Sequence, residues 1–290
     1  MDMIQNLKLL KNRICIYPGH YYSPIPSVRE ILKHDELFDH TVPEVLGVSL
    51  RYGQQMDLLE KSQGYYEEAF LNKKELGKCR YHFENNFYSY ADGIFYYLML
   101  RNLCPHKVIE IGSGFSSALL LDVNENIFHS EIECTFIEPY TKRLRSLLHE
   151  KDKIHIIEKN LQEVEYTVFE SLQAGDILFI DSTHVVKTGS DVNYIFATIL
   201  PHLSEGVYIH FHDVFYPFEY PREWVIKGKA WNEDYMLRSF LQYNSAFEIV
   251  LWNDYLIKKN RDYFKEHMPL CLKNSGGSIW LRKTVGNVKV

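Results

Sequence analysis

Two segments concentrate carboxylates and imidazoles: Asp181-Ser182-Thr183-His184 and His210-Phe211-His212-Asp213. An imidazole with an ordinary pKa of about 6.5 can take up a proton near neutral pH, so His184 and His212 are candidate general bases, with Asp181 as the third catalytic candidate. The same side chains offer oxygen and nitrogen ligands that suit magnesium, manganese or iron. Asp181, His212 and Asp213 therefore form a candidate divalent-metal set. Alternation along a strand puts His210 and His212 on one face, and His210, deeper in its run, reads as buried and satisfied on backbone. For Asp181 the plainer role is a turn cap; Ser190 or Asp191 most simply opens the helix that follows. Two further segments are of a binding type. In Glu110-Ile111-Gly112-Ser113-Gly114-Phe115-Ser116-Ser117 the glycines let backbone approach a ligand, and in Glu138-Pro139-Tyr140, 28 residues after Glu110, a carboxylate can accept from ribose hydroxyls.

What must position these residues is a set of short apolar runs alternating with amphipathic stretches, the pattern of a buried parallel sheet. Strands are expected at 108–111, 133–137, 154–157, 177–180 and 207–211, with helices after Phe115, after Thr141, after Gln162 and over 191–200. A helix at 235–243, a strand at 247–252 and a late strand at 278–282 follow; the stretch 253–277 gives no clear pattern. Ligands of such sheets lie beyond the carboxyl ends of the strands, where all four chemical segments fall. The first hundred residues differ, with Ser27-x-x-Glu30 opening a short helix, a helical pattern from Met56 to Leu71, and Ser89-x-x-Asp92 opening a third that Cys104-Pro105 stops. The division expected is a helical lead-in or cap over 1–88, contributing to a substrate pocket, and a ligand-binding domain over 89–290.

Charge narrows the ligand. Glu110, Glu138, Asp181 and Asp213 at one sheet edge would repel a dinucleotide pyrophosphate and favour a cation, and Ser116 stands where a dinucleotide fingerprint wants its third glycine. S-adenosyl-L-methionine answers both, having ribose, no phosphate and a positive sulfonium. The segments EIGSGFSS, IEPY, FIDSTHVVKTGSD and HFHDVFYPFEYP also resemble those of class I S-adenosylmethionine-dependent methyltransferases, and more narrowly the bacterial small-molecule group designated methyltransferase 24. The resemblance covers roughly residues 85 to 255, including YSYADG and WNEDYML, and extends to YYSPIPS near the start. It implies an α/β, Rossmann-like doubly wound sheet of seven strands with a reversed last strand, and cofactor roles for Glu110, Gly112, Ser113, Gly114 and Glu138, with Pro139 and Asp181 beside them. Ser116 departs from the usual turn, which bears on the fit of the first helix. The metal set is similar to that of O-methyltransferases with an acid after the fourth strand and a polar pair after the fifth.

The expected reaction is methyl transfer to an oxygen or nitrogen of a small molecule, such as a sugar or specialised metabolite, by a His base or a divalent ion. The acceptor is expected among Tyr21, Tyr22, Tyr88, Tyr90, Tyr216, Trp224, Trp231 and Tyr235, of which two or three would touch it, with Arg222 for an anionic group. Asn232 and Glu233 combine a helix start with a substrate-binding option. Rival readings are a nicotinamide-dependent oxidoreductase and a non-catalytic protein that keeps the cofactor fold. The 32 Lys+Arg against 38 Asp+Glu in 290 residues, without a basic block, exclude phosphate-gripping nucleic-acid binders and polybasic membrane binders. Five scattered cysteines without zinc-like spacing read as reduced thiols, and no apolar run approaches a membrane span. A cytoplasmic protein is expected, with a homo-oligomer a possible assembly.

Overall fold

A computed structural model describes residues 16–68 and 79–286. Seven strands form one sheet: β1 (Lys107–Ile111), β2 (Glu133–Ile137), β3 (Ile154–Ile157), β4 (Ile177–Ile180), β5 (Tyr208–His212), β6 (Phe247–Trp252) and β7 (Ser278–Lys283). Their order is β3-β2-β1-β4-β5-β7-β6, parallel except for β7, which runs antiparallel between β5 and β6. This is the Rossmann-like sheet with a reversed last strand. β4 is apolar throughout because helices cover both of its faces, and all four of its residues are buried. The reversal of order between β1 and β4 opens the crevice where a ligand can lie.

The helix Tyr90–Leu103 buries every residue from Ala91 to Leu100 and ends at Cys104, which turns left-handed (φ 46°) before Pro105. Ser89 supplies no side-chain cap; Asp92 turns inward instead, onto Asn253, Gly277 and Ser278. At Ser27 the expected cap is present, accepting from Glu30 N, but the helix it opens spans only Val28–Ile31. The expected pattern from Met56 to Leu71 is two helices, Tyr52–Lys61 and Gln63–Glu68, with Leu71 outside the described residues. The first packs on β6, and Gln55 Oε1 accepts from Trp252 N at 2.8 Å, so the lead-in shields an edge that would otherwise offer unpaired backbone.

Two expectations change. The crossover after Gln162 forms 3-10 turns, Leu161–Glu163 and Tyr166–Ser171, because Val164, Glu165 and Leu172 take extended backbone and cut the segment short of a full helix. The unassigned stretch 253–277 holds Asn253–Lys259, Arg261–His267 and a 3-10 turn at Pro269–Leu272. Seven-residue helices interrupted at the non-helical Asn260 span too few turns to show a periodic stripe. No helix among the described residues is long and apolar enough to cross a membrane.

Candidate functional site

The turn after β1 depends on Gly112, whose φ of +79° suits glycine and whose added Cβ would lie 2.2 Å from the carbonyl oxygen of Asp181. Gly112→Ala is therefore expected to cost about 1–2 kcal/mol from conformation alone, with about 1–3 kcal/mol more from the overlap; a thermal melting curve checks it, and an unchanged midpoint would contradict the close approach. Glu110 lies beneath the turn rather than at the rim. It is fully buried and accepts from Ser116 Oγ at 2.5 Å and Ser117 Oγ at 2.9 Å. Ser116 thus replaces a packing glycine with a hydroxyl that serves a buried acid. Burial pushes Glu110 up to about 8 against those two hydrogen bonds, and its Oε2 has no partner among the described residues, which fits a neutral carboxyl at pH 7.

Glu138, at the end of β2, does face the crevice, with Oε1 accepting from Tyr140 N and Oε2 within 3.4 Å of Ser113 Oγ. A cleft of about 370 Å³ runs from Gly112 past Glu138 and Pro139 to Asn160, Leu161 and Asp181. Beside it, Ser113, Glu138 and Arg143 border a more open hollow of about 560 Å³.

Beyond the ends of β4 and β5 lies a buried network of acids and imidazoles. His184 Nδ1 donates to Glu233 Oε2 at 2.8 Å, and Glu233 is held in turn by Ser182 Oγ, 3.0 Å from both its oxygens. The other ring nitrogen, Nε2, lies 3.4 Å from Asp181 Oδ1 and 3.7 Å from Asp213 Oδ2. His212 Nδ1 meets the same Asp181 Oδ1 at 3.4 Å, and its Nε2 lies 3.7 Å from Asp92 and 3.9 Å from Asp213. His184 and Asp213 both adopt left-handed backbone, φ 59° and 56°, a strained choice for residues with a Cβ that concentrates at functional sites.

Burial opposes charge on His184, but the hydrogen bonds and negative charges of Asp181 and Glu233 outweigh it and push the ring up to about 10. His212, also buried, is raised well above its ordinary value by Asp213, Asp181 and Asp92. Burial would lift Asp181, yet the charge of His212 and hydrogen bonds from both imidazoles hold it well below the usual carboxylate range. Both rings are therefore imidazolium at neutral pH, and each is less than a tenth exposed, whereas the Asp181 side chain is 39% exposed and lines the cleft. The cluster presents an ionised carboxylate to the cleft, backed by two buried cations.

The expected metal set does not converge. His212 addresses Asp181 with one nitrogen and Asp213 with the other, so no single lone pair faces both acids. Among the described residues, the one group of ligand atoms all within 4.8 Å of one another is Glu125, His149 and Asp152, and there Arg80 and Lys151 already pair with the acids. Asp181, His212 and Asp213 form ion pairs and do not fit a three-ligand shell.

Residues 109–214 match the methyltransferase 24 family model, described as a methyltransferase domain. A protein of Archaeoglobus fulgidus whose function is uncharacterised is 33% identical over 167 residues, 55% of this chain and 75% of that one. The chain belongs to this methyltransferase family. Solved structures with a similar fold include a methyltransferase of Podospora anserina bound to SAH (14% identity, TM-score 0.43, 84% of this chain and 100% of that one). Another is an O-methyltransferase of Streptomyces achromogenes in complex with SAM (13% identity, TM-score 0.42, 89% and 96%).

Of the acceptor-side residues expected for this methyltransferase, the structure brings Trp231 to the cluster, its ring centroid 4.3 Å from that of His184. Tyr216 is instead core: fully buried, it donates to Val42 O and packs on Trp252 and Tyr255. Arg222 makes a surface ion pair with Asp35, and Tyr235 donates to Glu219 at 2.6 Å. Tyr22 is 70% exposed and packs on Tyr21, while Tyr90 stacks on Phe83. Tyr88 lies beneath the site, its ring 5.1 Å from that of His212 and its hydroxyl 3.2 Å from His210 Nε2. His210 is buried as expected, but it meets Tyr88 and stacks on Phe179, and its Nδ1 has no partner among the described residues. Ser190 caps its helix as expected. Two roles escaped sequence reasoning. Asp92 and Glu233 looked like first-turn helix acids, and only the fold shows both turned inward to hold His212 and His184.

Proposed function

We propose that this chain transfers the methyl group of S-adenosyl-L-methionine to an oxygen or nitrogen of a small-molecule acceptor. One observation carries the reading: an ionised carboxylate, Asp181, stands between the cleft at the sheet's reversal point and two buried imidazoles. Bound there, S-adenosyl-L-methionine supplies an activated, positively charged methyl donor. The chain holds it through the backbone of Gly112 to Gly114 and through Glu138, which accepts from the ribose hydroxyls. Asp181 faces the positive end. The acceptor approaches from the side of Trp231, whose ring packs on His184. His184, fixed by Glu233 in one ring orientation, takes the acceptor's proton at Nε2 once that nitrogen has given up its own. Alignment of the acceptor with the methyl carbon supplies the remaining acceleration.

Calorimetric titration with S-adenosylhomocysteine and with NADH tests this. S-adenosylhomocysteine is expected to bind and NADH not; the reverse result removes the proposal. Glu138→Ala should weaken S-adenosylhomocysteine by about 10- to 100-fold, the worth of one charge-assisted hydrogen-bonded pair at about 1.5–3 kcal/mol, and an unaltered affinity would take the ribose role from Glu138. A cytoplasmic setting and an acceptor of metabolite size belong to the same proposal.

A further inference from the structure

The loop between the helices Arg222–Ile226 and Glu233–Leu241 carries an unusual lysine. The ammonium of Lys229 lies 3.4 Å from the ring centroid of Trp224 and 4.1 Å from that of Trp231. The two indoles stand nearly perpendicular, at 84° with centroids 5.4 Å apart, and so form two walls of a corner; Phe215 buttresses Trp224 edge-on at 5.2 Å. Among the described residues this ammonium has no hydrogen bond or ion pair; it meets the two ring faces, and the charges of Asp213 and Lys227 act from farther away. A surface lysine ordinarily keeps its head in water. Here the partly buried head rests on two π faces, which is favourable where the corner itself attracts cations.

The corner also borders the reaction centre. Lys229 and His184 both pack on Trp231, and around His184 stand Asp181, Asp213 and Glu233. An anionic acceptor drawn to Lys229 would have to lie against those acids, whereas a cationic one is favoured by them and by the indoles alike. Lys229 is placed to be displaced. Its backbone N donates to Trp224 O at 3.0 Å, so displacement needs only a rotation of the lysine's own four-carbon stem.

We propose that the Trp224–Trp231 corner is the seat of an ammonium group on the acceptor, and that Lys229 fills this seat until the acceptor arrives. The inference rests on the methyl-transfer reading of the adjacent cluster and narrows its substrate class to amine- or ammonium-bearing small molecules. The side chain of Lys229 then acts as an internal competitor that keeps the corner closed to water and to neutral molecules.

Choline and its neutral isostere 3,3-dimethylbutan-1-ol, titrated into the full chain, test the seat. Binding is read by indole fluorescence, since Trp252 and Trp280 are fully buried and leave Trp224 and Trp231 as reporters. Lys229→Ala is expected to bind choline about tenfold more tightly than the wild type and about tenfold more tightly than the isostere. The double variant Lys229→Ala/Trp231→Leu, read by calorimetry, should lose that preference. Equal affinities for the two probes in Lys229→Ala, or a choline affinity indifferent to the loss of Lys229 or of Trp231, overturns the proposal. S-adenosylhomocysteine titrated into the same samples separates the two claims: normal binding without a choline preference rejects the seat alone, and a choline preference without S-adenosylhomocysteine binding rejects the methyl-transfer reading.

Discussion

Asp181→Asn should abolish the preference for S-adenosyl-L-methionine over S-adenosylhomocysteine, weakening the charged form by about 10- to 100-fold while leaving the neutral one within about twofold. The expectation follows from the position of this carboxylate: it alone of the cluster is substantially exposed to the cleft, and it is held ionised far below the usual range by two imidazolium neighbours. Unit charges about 5 Å apart at an effective dielectric of about 20 attract by about 3 kcal/mol. The flanking imidazoliums cancel part of that, leaving about 1.4–2.8 kcal/mol, which is the stated range. S-adenosylhomocysteine has lost the positive charge and should not sense the change. The fold should survive, because each imidazole keeps a second acid, Glu233 for His184 and Asp92 for His212. Breaking a buried ion pair outright costs about 3–5 kcal/mol; here no buried charge is left without a partner. Paired calorimetric titrations of wild type and variant decide it, and parallel losses for both ligands would show that Asp181 shapes the cleft rather than its field.

The sheet was legible because its strands have no alternative. Ile177 to Ile180, and Val108 to Ile111 with Glu110 as its one acid, are β-branched and apolar runs too short for helices and flanked by Gly, Asp or Lys, and each forms a strand within a residue of where its composition places it. The chemical segments were legible for a related reason: residues just after a strand in a parallel sheet must emerge at one edge, so Glu138, Asp181, His184 and His212 came together. What sequence could not show was the direction of side chains on helices. Asp92 and Glu233 occupy first turns, where an acid ordinarily serves the helix dipole at the surface, and nothing local distinguishes an acid turned inward toward a histidine. Tyr216 failed for the opposite reason. It follows the site in sequence by four residues, yet the chain turns and sends its ring into the core against Trp252. Proton affinity was equally hidden, since an ordinary imidazole value presumes water, and these two rings are surrounded by carboxylates.

That altered affinity gives the second large effect. In the wild type the pH–rate profile should climb about tenfold per unit from pH 6 to pH 9, because His184 becomes a base only as it loses a proton with a pKa raised to about 10. Glu233→Gln keeps the shape of the Nδ1 partner but removes its charge, so the ring's proton affinity falls and the profile should move at least one unit toward acid. The same titration is visible without an acceptor: the His184 ring resonance should stay in its protonated position from pH 5 to pH 8 in the wild type and titrate at a lower pH in Glu233→Gln than in the wild type. Stability must follow with a definite sign. A raised histidine pKa stabilises the fold fully below its unfolded value of about 6.5 and ceases to do so as pH rises through about 10. Asp181, depressed, contributes above its unfolded value of about 3.9 and loses that contribution as pH falls below it. The contribution of this pair to the melting temperature is therefore greatest between about pH 4 and pH 6.5 and declines on the alkaline side, with a shallower decline in Glu233→Gln, while Glu110, pushed up to about 8, adds a loss common to both proteins as pH rises above its unfolded value of about 4.3. A His184 resonance that titrates near 6.5 in the wild type would mean that Glu233 and Asp181 do not hold its proton, and the assignment of His184 as a base that must first be unloaded would fall with it.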